Sequence, residues 1–486
     1  MDELTLDPKD WDKMKSLAHR MVDDMMTCLQ DIRSQPNIRS TKEAINGILS
    51  PLTQDGEGEE KVYEIFLKYI LPYSLANVKP RFWGYVVGTG SPYGMLAEML
   101  TSGVNSFAET VFVGGYVHQQ VIDWIKEMLD YPAEAGGVLV SGGSEANFTG
   151  LAVARNAKAE VNMKKKGVQG LDRKMTLYCS EETHHCLERS VELLGLGSDA
   201  LRWLPTDTDC RIKIESLKKA IIDDKKQNNY PFCIIGNAGT VNSGAFDDFK
   251  AIANLCLKNK LWFHVDGAFG SWVKISKSHR NLAEGIERAD SLAVDLHKWM
   301  YMPYGIGCAL VKDKLAHYST FVYGHEAEYL KTGMQLADET IVNPHNLALP
   351  LSRSFTSLKA YMLLRAYGKE KYSQLIQQNI DQIKYLSELI QKDPHLEITV
   401  PVASNIVCFQ YKPKKFTESE LEKLNRKILD ELWQTRLGII SDTTIKGKFM
   451  LRACCVNHRS QRQDFDFLVN EIKKAGEKYA SQNLSE

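Results

Sequence analysis

The chain has 486 residues, of which 44% are hydrophobic and 25% charged, the composition of a folded globular protein. Its 60 basic and 61 acidic residues nearly cancel, which argues against binding to nucleic acid or to an anionic membrane surface. The acidic start lacks the apolar segment of a secretory signal, and no apolar run approaches the roughly 20 residues that span a bilayer. The ten cysteines have no metal-ligand spacing and indicate reduced thiols, so we expect a cytoplasmic protein.

The first part of the chain is predicted to be helical. Apolar residues recur at spacings of three and four over residues 9–33, which predicts an amphipathic helix that packs on a partner subunit or on its own domain. A second predicted helix, residues 58–75, precedes an aromatic and basic segment that contains Trp83 and Tyr85. The glycine-containing loop at 88–94 either lines a ligand site or is a connector.

A glycine-rich turn between a strand and a helix is the first candidate ligand site. The predicted strand Val138–Val140 is followed by the run Ser-Gly-Gly-Ser at 141–144, near which a helix begins. Free N–H groups at the start of a helix bind phosphate, and glycine allows close approach. The spacing fits neither a dinucleotide site nor a P-loop. The turn therefore indicates either a monophosphate site at Gly143 and Ser144 or an ordinary capped turn.

Strands and helices alternate between residues 175 and 311, which predicts a mostly parallel sheet covered by helices. In such folds the strand ends face a common crevice where ligands bind. From residue 352 onward, helices alternate with short strands and predict a compact α+β domain. The histidines show no metal-ligand spacing, so we expect no metal site. The candidate residues at strand ends are Ser144, His184, Thr240, Asp266, His297 and Lys298.

These residue types suit an aldehyde cofactor that carries a phosphate. Lys298 can bond to an aldehyde, Asp266 can pair with a protonated ring nitrogen, and His184 can stack on the ring. Gly143 and Ser144 can bind the phosphate. Together they supply the parts of pyridoxal phosphate catalysis, in which the ring accepts the electrons of a breaking bond at the substrate Cα.

Four motifs resemble, in order and spacing, those of the group II pyridoxal-phosphate-dependent decarboxylases, the family of aromatic-L-amino-acid, histidine and glutamate decarboxylases. The resemblance extends from about residue 60 to the C-terminus. It implies an α/β large domain of the aspartate-aminotransferase-like fold (fold type I) with a mostly parallel seven-stranded sheet, plus a small α+β domain. The motifs are Ser141-Gly-Gly-Ser-Glu-Ala146, Thr183-His184, His264-Val-Asp266-Gly-Ala268 and Asp295-Leu-His-Lys-Trp299.

The resemblance also implies a division of the chain and an assembly. Residues 1–60 are expected to form a helical arm packed across a homodimer. Residues 61–350 are expected to form the large domain that binds the cofactor, and residues 351–486 the small C-terminal domain. The expected partners are an amino acid substrate and a second copy of the chain.

The family's catalytic and cofactor roles carry over motif by motif. Lys298 matches the lysine that bonds to the cofactor, and Asp266 matches the partner of the ring nitrogen. His184 and Ala268 match the residues above and below the ring. Asp295 occupies a position that is asparagine in the aromatic enzymes, and the resemblance implies that it contacts the phosphate end of the cofactor. The remaining cofactor contacts implied by the resemblance are Gly143, Ser144, Thr240 and His297.

The substrate side of the site matches the family less closely. Trp83, Tyr85 and Phe107 fall in stretches that line the family's substrate pocket, which favours an aromatic substrate. Glu109 stands where the aromatic enzymes carry an apolar residue. There it either contacts an indole N–H, a phenol or an amino group, or it faces solvent. The family's loop tyrosine, which protonates the carbanion in animal aromatic decarboxylases, is matched here by Pro344.

The implied function is that of a carboxy-lyase converting an L-amino acid, with an aromatic one favoured, to its amine and CO2. His345, His325 or Tyr329 is the alternative proton donor. If none donates, the carbanion meets oxygen and the product is an aldehyde. A decarboxylase of a non-aromatic amino acid is a further alternative. The intact Lys298 and Asp266 argue against a non-catalytic protein of the same fold.

Overall fold

The computed structural model describes residues 3–35, 42–52, 54–106, 113–322, 343–414 and 416–483. The helices are α1 (Trp11–Gln30), α2 (Lys42–Ile48), α3 (Glu59–Ile65), a π-helical turn (Phe66–Ile70), α4 (Leu71–Ser74), α5 (Pro92–Val104), α6 (Val113–Met128), α7 (Gly143–Lys158), α8 (Met163–Lys166), α9 (Cys186–Leu193), α10 (Ile214–Lys226), α11 (Phe249–Asn259), α12 (Lys314–Phe321), α13 (Thr356–Lys392), α14 (Glu418–Thr435) and α15 (Arg462–Asn483). The strands are β1 (Phe82–Trp83), β2 (Gly136–Val140), β3 (Met175–Ser180), β4 (Leu201–Leu204), β5 (Tyr230–Asn237), β6 (Trp262–Asp266), β7 (Ser291–Asp295), β8 (Gly307–Val311), β9 (Leu396–Ile398), β10 (Ile406–Tyr411), β11 (Ile439–Ile445) and β12 (Lys448–Cys454).

The larger sheet has seven strands in the order β2-β8-β7-β6-β5-β3-β4. The pairs from β7 through β6, β5 and β3 to β4 are parallel, whereas β8 runs antiparallel to both β7 and β2. Strands β3 and β7 are buried along their whole length, which explains why they read as apolar runs without alternation. This sheet confirms the predicted fold class.

The topology brings the polar strand ends together at one edge of the larger sheet. Asp266 ends β6 and Asp295 ends β7, and the two strands are parallel neighbours. Because β2 runs antiparallel to β8, which itself opposes β7, its end at Val140 lies at that same edge. Helix α7 follows β2 directly and begins at Gly143. The start of α7 therefore lies beside the ends of the central strands.

The smaller sheet has the order β1-β11-β12-β10-β9 and packs against α13, α14 and α15. Its first strand, β1, comes from the segment 61–350 that the sequence assigned to the large domain, and it pairs in parallel with β11. Trp83 of β1 is fully buried in this second core, where its ring lies 4.8 Å from that of Phe465 and its indole N–H donates to Ser460 Oγ. The prediction that Trp83 contacts the substrate is therefore wrong.

Three strands were not predicted from the sequence. Strand β1 has two residues and β4 has four, lengths that give little periodic signal. Strand β11 reads Ile-Ile-Ser-Asp-Thr-Thr-Ile, with its polar residues in the middle, and it is recognisable only from its pairing with β12.

The N-terminal helices form an amphipathic layer, as predicted for this part of the chain. Asp10 caps α1 by accepting hydrogen bonds from the N–H groups of Asp12 and Lys13. Tyr63 of α3 donates to Asp24 at 2.7 Å and joins the two helices. No helix of the described segments is long and apolar enough to cross a membrane. Together α1 and α3 line an apolar groove with Met14, Leu17, Met21, Met25, Val62 and Phe66.

Candidate active site

A cavity of about 360 Å³ opens at the edge of the larger sheet where the parallel strands end. Strands β11 and β12 of the smaller sheet supply part of its wall, so the cavity lies between the two sheets. Its lining residues are Tyr85, Val86, Gly143, Ser144, Asn147, His184, Cys186, Asn237, Gly239, Val241, Asn242, Asp266, Ala268, Phe269, Lys298, Ser441, Asp442 and Arg452.

Lys298 presents its amine to the cavity from the turn that follows β7. Its Nζ lies 2.8 Å from Asp295 Oδ2, and the lysine side chain remains 24% exposed. Burial alone lowers the pKa of Lys298, but the carboxylates of Asp295 and Asp266 outweigh that effect and raise it. The amine is thus held as an ammonium ion that a ligand in the cavity can reach.

Asp266 ends β6 and is 8% exposed. Its Oδ1 accepts a hydrogen bond from the N–H of Ala268 at 3.2 Å, which fixes the carboxyl group above the turn that lines the cavity. Two residues earlier, His264 is fully buried between Asn147 Oδ1 and Ser291 Oγ, each at 2.8 Å. Burial lowers the pKa of His264 to about 4, so the ring beneath the site is neutral at physiological pH.

The start of α7 lines one end of the cavity and could bind an anion there. Gly143 and Ser144 are its first two residues, and the N–H groups of a helix's first turn have no partner within the helix. A Cβ at Gly143 would lie 2.7 Å from Asp295 Oδ2, and one at Gly142 would lie 2.9 Å from His297 Cε1. Only glycine fits this close approach of backbone to side chains.

His184 reaches the cavity from the turn before α9. Its Nδ1 accepts a hydrogen bond from the N–H of Cys186 at 3.1 Å, which leaves Nε2 to carry the proton. Partial burial lowers the pKa of His184, so its ring is neutral near pH 7. A neutral imidazole in this position presents a flat face without repelling the Lys298 ammonium.

Several sequence-predicted residues do not line the cavity. Thr240 is buried in the turn after β5, where it contacts Ser243 Oγ and accepts from the N–H of Ala245. His297 points away, with its Nδ1 hydrogen-bonded to the carbonyl of Ile306 at 2.9 Å. Asp295 lies beneath the cavity, where its carboxylate contacts the amine of Lys298, which lines the cavity. Phe107 and Glu109 lie outside the described residues.

The structure describes only some of the loop residues that were considered as proton donors. Pro344 and His345 form a buried short 3-10 turn and do not line the cavity. His325 and Tyr329 lie outside the described residues. Tyr85, predicted to contact the substrate, does line the cavity and is 57% exposed.

Arg452 is the main feature of the site that the sequence did not reveal. It lies on β12 and is 3% exposed. Its guanidinium donates to the carbonyls of Asn242, Val241 and Tyr85 and to Ser441 Oγ, at 2.6 to 3.3 Å. Its position within an apolar strand was visible in the sequence, but its partners were not.

The residues of the cavity fit a phosphorylated pyridoxal. The amine of Lys298 can bond to the aldehyde, and Asp266 offers a carboxylate to a ring nitrogen. Ala268 leaves room for a flat ring, and the glycine-lined start of α7 can bind the phosphate.

The model of the pyridoxal-dependent decarboxylase conserved domain matches residues 46–412. The chain belongs to this family. It is 29% identical over 473 residues to the aromatic-L-amino-acid decarboxylase of Bacillus atrophaeus, covering 96% of each protein. It is also 29% identical over 463 residues to a phenylacetaldehyde synthase of Arabidopsis thaliana, covering 92% of each.

Solved structures of the same fold agree with the architecture described above. Tryptophan decarboxylase of Catharanthus roseus in complex with L-tryptophan superimposes with a TM-score of 0.87 at 24% identity, covering 97% of this chain and 100% of that one. The 4-hydroxyphenylacetaldehyde synthase of Rhodiola rosea gives 0.86 at 22% identity, covering 97% and 99%. The protein is accordingly a group II amino acid decarboxylase, a carboxy-lyase that uses pyridoxal phosphate.

Proposed function

We propose that this enzyme converts an aromatic L-amino acid to the corresponding amine and CO2. The observation that carries the proposal is the convergence of Lys298, Asp266 and the start of α7 on one cavity. The aromatic substrate is supported by Tyr85 and Phe269 in the cavity wall. It is also supported by relatives named aromatic-L-amino-acid, tyrosine and tryptophan decarboxylases.

Pyridoxal phosphate, when bound, supplies a ring that accepts the electron pair released as CO2 leaves. Lys298 would hold the cofactor through Nζ, and Asp266 would keep a proton on its ring nitrogen. Neutral His184 would offer its flat face to the ring, and Gly143 and Ser144 would bind the phosphate at the start of α7.

A second product is a specific alternative. Pro344 stands where the resemblance places a proton-donating tyrosine, and relatives of equal identity include a phenylacetaldehyde synthase. An unprotonated carbanion that reacts with O2 and water would give an aldehyde, ammonia and H2O2 beside CO2. Assays of amine and of H2O2 on the same reaction mixture separate the two products.

We further propose a cytoplasmic homodimer with the arm, large domain and small domain bounded at residues 60 and 350. The dimer is supported by the apolar groove between α1 and α3, which is open to solvent in one chain. Light scattering on the purified full chain measures its mass. A monomer at micromolar concentration would contradict the dimer.

The test of the function uses the full chain and a lysine variant. Lys298→Ala is expected to release no CO2 from a panel of aromatic amino acids, whereas Lys277→Ala, at an exposed lysine paired with Glu370, is expected to react normally. Borohydride reduction of the wild-type protein followed by peptide mapping is expected to find the cofactor on Lys298. An adduct on another residue, or turnover by the variant, would contradict the proposal.

A further inference from the structure

Asp295 carries an inference that rests on the proposed role of Lys298. We propose that Asp295 is a positioning residue that keeps a proton on Lys298 Nζ. The carboxylate is the last residue of β7, three residues before the lysine, and its Oδ2 lies 2.8 Å from Nζ.

The carboxyl group of Asp295 is deeply buried and closely packed. It is 1% exposed, and within the described part of the chain neither oxygen has a well-aligned hydrogen-bond donor, so the contact of Oδ2 with Lys298 Nζ is that of an ion pair. A Cβ at Gly143 would lie 2.7 Å from Oδ2, and one at Gly307 would lie 2.8 Å from Oδ1. Backbone therefore closes around both oxygens and leaves Lys298 as the cation that compensates the buried charge.

The charge of Asp295 is a departure from the aromatic enzymes, in which the resemblance places an asparagine at this position. Asparagine would fill the same space without a negative charge. The carboxylate thus adds an electrostatic interaction with Nζ to the packing that both side chains provide.

The other titratable groups around Lys298 come from four elements. Burial lowers the pKa values of His184 and His297, and it raises the pKa of Cys186 to about 12, so these three groups are uncharged near pH 7. Asp295 and Asp266 remain as the carboxylates that act on Nζ. The groups that face Lys298 are Asp266 from β6, His184 before α9, Cys186 from α9, His297 and Tyr304 from its own turn, and Cys454 from β12.

The inference has a spectroscopic consequence. Lys298 Nζ is the nitrogen that would bond to the cofactor, and the visible absorbance of the bound cofactor reports whether that nitrogen carries a proton. An opposite charge within about 4–6 Å shifts such an equilibrium by about 1–3 pH units toward the charged form. Removal of the Asp295 charge must therefore lower the pH at which Nζ loses its proton.

The experiment is a pH titration of the visible absorbance of the full chain loaded with pyridoxal phosphate. For Asp295→Asn, the transition is expected about 1–3 pH units below that of the wild type. Asp295→Glu, which keeps the charge, is expected to stay closer to the wild type. The matched control is Asp209→Asn, which removes a partly exposed carboxylate paired with Arg211 outside the cavity and is expected to titrate as the wild type does.

An Asp295→Asn transition at the wild-type pH, or above it, would overturn the inference and leave Asp295 with a packing role. If the asparagine variant does not fold, Asp295→Ser removes the same charge and must meet the same expectation. A wild-type protein without a pH-dependent band, or with its borohydride adduct elsewhere, would instead refute the proposed role of Lys298.

Discussion

At the scale of single residues, the chemically active side chains could be predicted because each ends or follows a strand. Lys298, Asp266 and His184 carry reactive groups at such positions, and the structure brings all three to one cavity. Arg452 could not be predicted, because the carbonyls it binds belong to residues 210 and 211 positions earlier in the chain. The close approach of Gly143 to Asp295 could not be predicted either, because it forms only when two distant segments of the chain meet.

Asp266→Asn tests the role of the carboxylate at the end of β6. The amide keeps the size of the side chain but cannot stabilise a proton on a ring nitrogen by charge. We expect turnover to fall by about 100-fold or more, with weaker cofactor retention. Steady-state CO2 release and cofactor content after dialysis measure the two effects.

The control for that variant is Asp442→Asn, whose carboxylate lines the cavity from the smaller sheet. It is expected to retain its cofactor through the same dialysis. If Asp266→Asn also retained cofactor and turned over within a few-fold of the wild type, another group would have to hold the ring nitrogen.

At the scale of elements, the alternation of strands and helices predicted the strands of the larger sheet except β4, but it missed β1 and β11 of the smaller sheet. The buried strands of the larger sheet are apolar runs with helices between them, so each is recognisable locally. The smaller sheet includes β1, which is short and pairs with β11, and β11 itself, which is polar in its middle and pairs with both β1 and β12. The pairing joins Trp83 to Ile440, which lie more than 350 residues apart along the chain. Such a non-local contact has no pattern in the local sequence that could indicate it.

The start of α7 makes a prediction about phosphate binding. In Gly143→Ala, the added methyl would lie 2.7 Å from Asp295 Oδ2 and 3.2 Å from Ala268 Cβ, so the first turn must shift. We expect weaker binding of pyridoxal phosphate and a smaller effect on pyridoxal, which has no phosphate. Affinities of both compounds for the cofactor-free chain measure the difference.

Gly103→Ala in α5 is the matched control, because a Cβ there meets nothing within 4 Å. That variant is expected to bind both compounds as the wild type does. Because Gly103 lies in the last turn of α5, the variant should also keep its stability to within about 1 kcal/mol. Equal loss of affinity for pyridoxal and its phosphate in Gly143→Ala would argue against a phosphate site at α7.

At the scale of the whole molecule, Arg452 ties the smaller sheet to the larger one across the cavity. It reaches from β12 to the carbonyls of Val241 and Asn242 after β5, and to the carbonyl of Tyr85. Tyr85 has a φ of 57°, an unfavourable backbone conformation for a residue with a side chain. Such a conformation persists only where surrounding contacts hold it, and the hydrogen bond from Arg452 to the Tyr85 carbonyl is one of these contacts. The same guanidinium therefore sets both the contact between the sheets and the shape of the cavity wall.

Arg452→Met keeps much of the aliphatic volume but removes every one of these donors. Because part-buried carbonyls lose this donor, we expect a loss of about 1–3 kcal/mol in the free energy of unfolding, together with a raised KM because the Tyr85 wall loosens. Arg452→Lys should recover little, since an ammonium cannot reproduce the planar geometry of a guanidinium.

Arg426→Met, at an exposed arginine paired with Glu422 on α14, should change stability by less than about 0.5 kcal/mol. Urea unfolding and steady-state kinetics on all three variants separate the effects. If Arg452→Met were as stable as Arg426→Met, the two sheets would have to be joined by the apolar contacts between them.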